Sequence, residues 1–222
     1  MKIIHPLLRG EVKKLKPNIY GISIADDYDR AMLFCRYQEH YESAYKEIRG
    51  KKFTLEYFMR LYCRKRKTPT FLYPSDWGGY NIPSDVLIRA HYLFQPIYNE
   101  YDPIMGQIIE FCSSTSKDKP FYLIGVDTFS STQTMKHELS HGLYYTNSHY
   151  KESCDKLISQ IDKKDYIFAK RELLKIGYAD DKKIIDDEIQ AFFSTGLYGG
   201  LINDRLKPYT KKFTQNFKKY FK

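Results

Sequence analysis

Apolar residues recur at helical spacing along most of the chain, and only two short stretches read as strands. Ile19-Tyr20-Gly21-Ile22-Ser23-Ile24 follows Pro17 and alternates weakly, which predicts a strand. From Asp26 or Asp27 the period changes. Met32, Leu33, Cys35, Tyr37, Tyr41 and Tyr45 mark a long amphipathic helix that Gly50 closes. Thr54 caps a second helix through Phe58, Met59, Leu61 and Tyr62, which ends in the basic run Arg64-Lys65-Arg66-Lys67 as a helix C-terminus favours. Residues 68–83, with Pro69, Pro74, Trp77-Gly78-Gly79 and Pro83, read as a turn-rich connector whose tryptophan plugs a loop onto the core. One helix follows Ser84-Asp85 through Phe94, and another opens at Asp102-Pro103 with proline in its first turn. Ser113 to Pro120 is the clearest internal linker.

Beyond the linker, Phe121 to Val126 is an apolar run of strand length. Ser130 with Gln133 forms a capping box, so a helix is expected from there to about Tyr145. Three more helical patterns follow: Tyr150 to Ile161, Ile167 to Ile176 with a stop at Gly177, and about Asp181 through Phe193 towards Gly196. Gly199-Gly200 is a break. Tyr209, Phe213, Phe217, Tyr220 and Phe221 then line one face of a lysine-rich terminal helix, which docks on its own core or, as the less favoured reading, lies on an acidic membrane surface. The fold class expected is α+β and predominantly helical. It comprises a mostly helical N-terminal half, residues 1–115, and a second half, residues 116–222, packed as one compact unit.

Composition narrows the picture a little. With 222 residues, 21 Tyr and 14 Phe, the chain can bury a core without staples and is not disordered. Its net charge of +9 favours anionic partners, but Lys207 to Lys222 holds six lysines and no acid, so most of the excess is local. Nucleic-acid contact through Arg64 to Lys67 is the minor reading of that run. Cys35, Cys63, Cys112 and Cys154 form no Cys-x-x-Cys pair and read as reduced, buried thiols. No signal-peptide pattern and no apolar run of membrane-spanning length is seen, so the expectation is a cytoplasmic protein, with non-classical export invisible to this reasoning.

The chemistry is concentrated in Thr134-Met135-Lys136-His137-Glu138-Leu139-Ser140-His141-Gly142-Leu143. On a helix, His137 and His141 stand one above the other and can chelate one metal ion, while Glu138 projects close by as a general base for water. Thr134 and Met135 precede the pair, Leu139 and Ser140 lie between the histidines, and Gly142 and Leu143 follow the second.

This stretch resembles the zincin metallopeptidases. The metzincin subgroup would need Gly at position 144 and His at 147, where this chain has Tyr144 and Asn147. His149 comes two places late and reads as a surface histidine. The resemblance is closer to the gluzincins, which take a third ligand from a Glu on a later helix, often with Ala three residues on. Asp187-Glu188-Ile189-Gln190-Ala191 has that form, and Glu188 lies 47 positions beyond His141. Helical phase agrees: Ile184, Ile185, Ile189, Phe192 and Phe193 mark the buried face, with Glu188 at its centre, Asp186 on the solvated side and Asp187 near the boundary, able to orient a ligating histidine.

The implied catalytic half is zincin-like, with a short sheet and an active-site helix, and the N-terminal half forms one cleft wall. The implied cofactor is one catalytic Zn2+ held by His137, His141 and Glu188, and the implied activity is hydrolysis of a protein or peptide substrate with Glu138 as general base. An endopeptidase is preferred, because the substrate-amine motif of related aminopeptidases is missing upstream. Tyr145, Tyr144 and Tyr198 are candidate donors to the oxyanion. Two alternatives stay open. One is a nucleic-acid- or membrane-surface-binding protein with a non-catalytic metal site, and the other is a metallohydrolase of a non-peptide amide.

Overall fold

The computed structural model describes residues 1–5, 7–126, 132–196 and 203–221. The protein is α+β and predominantly helical, with a small five-stranded sheet among the described residues. It divides into two compact units, Met1–Phe129 and Ser130–Lys222.

In the first unit the strands are β1 (Lys2–Ile4), β2 (Arg9–Lys16), β3 (Ile19–Ile24), β4 (Gly79–Pro83) and β5 (Tyr122–Val126), in the order β1-β2-β3-β5-β4. β5 runs parallel to β3 and antiparallel to β4, so its five buried residues sit inside the sheet. That pairing explains why the unit boundary falls after β5 and not in the linker at 113–120, which the composition suggested. Four of the five strands precede residue 115, more than the one the sequence pattern predicts there. The connector at 68–83 holds one of them, β4, after a short 3-10 turn at Tyr73–Ser75.

The helices of this unit are α1 (Asp27–Glu42), α2 (Leu55–Arg66), α3 (Ser84–Phe94) and α4 (Asp102–Ser116). The Thr54 hydroxyl accepts from the Tyr57 N–H at 3.1 Å, which is the expected cap. α1 ends at Glu42, well before Gly50, because Ser43 turns out of the helix (ψ 136°) and its Oγ accepts from the Tyr45 N–H. α1 lies against β3, β4 and β5, and the closest approach is made possible by Gly125: a Cβ there would stand 2.5 Å from the Phe34 ring. Trp77 packs partly buried on this core, near Tyr73, as its loop reading implied. The four cysteines are free thiols, three of them buried and Cys63 half-buried.

The second unit is helical throughout its described residues: α5 (Thr132–Thr146), α6 (Ser148–Ser159), α7 (Lys163–Lys175), α8 (Lys182–Thr195) and α9 (Lys207–Phe221). Each start from α6 to α8 has a side-chain cap that the sequence supplies: Asn147, Asp162 and Asp181 accept from the N–H of Tyr150, Lys164 and Lys183. Ser130 of the anticipated capping box for α5, and the break at Gly199-Gly200, lie outside the described residues. α8 is the centre of the unit. It packs on α5, α6, α7 and α9, and ends at Gly196 in the left-handed region (φ 69°) that glycine adopts at no steric cost. α9 docks through Phe213 and Phe217, with Phe213 edge-on to Phe193 of α8. Its apolar face is covered by its own unit. No described helix is long and apolar enough to cross a membrane.

Candidate metal centre

α5 and α8 lie side by side, and each turns one polar stripe into an otherwise apolar contact. From α5 come His137 and His141, only 4% and 1% exposed, and from α8 comes Glu188 at 3%. Burying a carboxylate and two imidazoles costs several kcal/mol unless partners or a cation compensate them. The four-residue spacing places the two rings edge to face, with centroids 4.8 Å apart and their Nε2 atoms separated by 3.2 Å. Glu188 completes a triangle: its Oε1 is 3.5 Å from Nε2 of His141, and its Oε2 is 3.7 Å from Nε2 of His137. The three ligating atoms all lie within 4.8 Å of one another, and the group can hold a metal ion.

The spacing suits a tetrahedral ion. With zinc to nitrogen bonds of about 2.0–2.1 Å, neighbouring ligand atoms in a tetrahedron are about 3.3 Å apart. The donor atoms agree as well, and polar atoms are left over: Glu188 Oε2 and His137 Nδ1 are buried with no hydrogen-bond partner among the described residues. The arginines of this unit that form ion pairs are taken elsewhere, Arg171 reaching Glu172 and Arg205 pairing with Asp165.

The surroundings fix the ligands in place. Asp187 Oδ1 accepts from Nδ1 of His141 at 2.8 Å, the orienting contact that its position near the helix boundary suggested. A proton held at Nδ1 leaves the Nε2 lone pair facing the centre. The same Oδ1 also accepts from Gln190 Nε2 at 2.9 Å, and Gln190 Oε1 accepts from the Tyr150 hydroxyl at 2.9 Å. This chain runs from the ligand into α6. The Tyr178 hydroxyl bonds to Glu188, and Phe192 lies against the His137 ring at 4.5 Å between centroids.

Without an ion the site is electrostatically one-sided. Burial by itself pulls the His141 pKa down, but Asp187, Glu188 and Glu138 more than reverse this and hold it well above the usual imidazole value. Burial pushes Glu188 up, and the histidines together with the Tyr178 hydroxyl bring it below the ordinary glutamate value. The buried carboxylates thus call for positive charge at this point.

The remaining site expectations fare differently. Glu138 is on α5 beside His137 and buried, at 6% exposure. Tyr145 is half-buried, one helical turn past His141 on the same face. Tyr144 is engaged elsewhere, because its hydroxyl bonds to Asp155 and accepts from Lys151 Nζ at 3.1 Å. Tyr198 lies outside the described residues. His149 is exposed on α6. Asp186 departs from its solvated reading: it accepts from the Tyr166 hydroxyl at 2.8 Å and pairs with Lys182, and its side chain is 14% exposed. Tyr178, beside Glu188, is a residue of the candidate site that sequence reasoning missed. It sits between α7 and α8 with no periodic signal, in a chain with 21 tyrosines.

No protein-family model, no curated protein and no solved structure matches the chain.

Proposed function

We propose that the protein is a zinc-dependent peptidase that hydrolyses a protein or peptide substrate. The observation that carries this reading is the buried convergence of His137, His141 and Glu188, with the acid Glu138 next to the first histidine on the same helix. Three protein ligands, two imidazoles and one carboxylate, are the donor set of a catalytic rather than a structural zinc site. Bound there, zinc supplies Lewis acidity toward a carbonyl and lowers the pKa of water.

The chain's own residues divide the other tasks. Glu138 receives a proton from water and returns it to the leaving amine, a role that a structural site does not need. Asp187 and the Gln190-Tyr150 chain behind it keep the His141 ring from rotating, and Tyr178 steadies Glu188. Phe192 keeps water off one face of His137. Tyr145, on the ligand face of α5, and Tyr198 are the candidate donors to a developing oxyanion.

Metal analysis of protein purified without added zinc, paired with turnover of an unbiased quenched-fluorescence peptide library, tests the proposal. The wild type is expected to carry one equivalent of zinc and to cleave. Glu138→Gln is expected to keep the metal and lose roughly two to four orders of magnitude in rate. Wild-type protein without stoichiometric metal overturns the reading, as does a Glu138→Gln variant that cleaves at the wild-type rate.

A further inference from the structure

We propose that a cleft between α6 and α9 is a docking site for an acidic segment of another polypeptide. The cleft measures about 570 Å³, a size that takes a ligand or a short peptide segment. Lys156 on α6 and Lys212, Lys218 and Lys219 on α9 line it, and no aspartate or glutamate does. None of these four ammonium groups forms an ion pair among the described residues. Several lysines elsewhere on the same unit do. Lys151 and Lys175 each sit 2.8 Å from a carboxylate, and Lys170 and Lys182 are likewise paired with Asp180 and Asp186. Four lysines around one concavity, unpaired among the described residues, make a local field that attracts carboxylates.

The other lining groups indicate which anion. Gln160 and Gln215 also line the cleft, and their side-chain amides have no hydrogen bond among the described residues. Asn216 is anchored by donating to Ser153 Oγ at 2.8 Å, which leaves its side-chain oxygen free of any described partner. Amides of this kind, carrying donors and acceptors together, match the N–H and C=O groups of a peptide backbone. A membrane surface fits less well. Of the aromatic residues on the α9 face that would enter a bilayer, Phe213 and Phe217 are buried in the unit and Tyr209, Tyr220 and Phe221 are half-buried. Nucleic acid also fits poorly, because no aromatic side chain lines the cleft to stack on a base. The inference does not depend on the metal centre.

Fluorescence anisotropy of a labelled polyglutamate peptide with the full chain at low salt tests it. Wild-type protein is expected to bind, with affinity falling as salt rises. Lys156→Glu combined with Lys219→Glu is expected to weaken binding about tenfold or more. Lys164→Glu combined with Lys211→Glu makes the same change in net charge outside the cleft and is expected to leave binding within about twofold. If the reversed cleft charges impair folding, as seen by circular dichroism, Lys156→Gln with Lys219→Gln serves instead, with a smaller loss in the same direction. The proposal is overturned if the peptide does not bind the wild type or if both double variants lose affinity equally. It is also overturned if phosphatidylserine vesicles or a single-stranded oligonucleotide bind more tightly and in a cleft-dependent way.

Discussion

Each compact unit buries a cluster of ionisable groups, and the two clusters are built on opposite terms. In the first unit, Arg36 and Asp102 are both about 1% exposed and meet at 2.6 Å. Asp102 also accepts from the Tyr37 hydroxyl at 2.7 Å and from the Asn99 N–H at 2.7 Å. Arg36 donates to the Phe53 carbonyl at 2.9 Å, and its guanidinium lies 4.1 Å from the centre of the Phe94 ring. Here the chain supplies both charges. In the second unit two imidazoles and a carboxylate turn their acceptor atoms towards one another, and Glu188 Oε2 is left without a donor. The difference teaches how a structural polar cluster is told from a candidate site: the first neutralises its own charge, although Arg36 Nε has no partner among the described residues, and the second is complementary to a cation.

Removing a ligand tests that contrast most severely. His141→Ala is expected to weaken zinc binding on the order of a thousandfold or more, read by competition with a chromogenic chelator. Asp102→Ala is the matching lesion in the closed cluster. It leaves Arg36 buried without its counter-charge and is expected to cost about 3–5 kcal/mol in a denaturant titration while zinc affinity stays unchanged. Zinc loss in Asp102→Ala protein that is still folded would break the distinction. Asp187→Asn keeps all three ligands and loses only the orienting carboxylate, so a ten- to hundredfold drop in zinc affinity is expected, by the same competition assay.

The smallest effect concerns Glu39, a second buried acid of the first unit. Burial raises its pKa to about 6, against the lowering influence of the nearby Ser43 and Tyr73 hydroxyls. The folded pKa therefore exceeds the unfolded value near 4.5, and the stability tied to the neutral acid is complete below that value. It is lost as pH rises from about 4.5 through about 6, an effect of about 2 kcal/mol. Glu39→Gln is expected to flatten this part of the profile in urea melts across that range. An unchanged pH dependence would show that Glu39 is ionised in the fold.

The candidate metal centre was readable from the chain because both of its helices keep strict phase. His137 and His141 share a face at any spacing of four, and the apolar ring around Glu188 marked it as inward-pointing before any coordinates. The same phase placed Asp187 at the edge. What escaped lacks periodicity. β2 has the sequence RGEVKKLK with only Val12 buried, so a lysine-rich strand near the sheet edge shows no apolar alternation. β4 is short and ends at Pro83, within a stretch whose glycines and prolines favour a loop reading. Tyr178, Gln190 and Tyr150 act through hydrogen bonds between separate helices and turns, and only the tertiary fold brings them together.

The ligand set is divided between α5 and α8, with α6 and α7 in the chain between them. An ion on His137, His141 and Glu188 would therefore close a ring of 47 residues beyond His141, as a removable cross-link does. Stripping the metal reopens that ring, so the α6–α7 segment is where a protease is expected to cut first once a chelator is added.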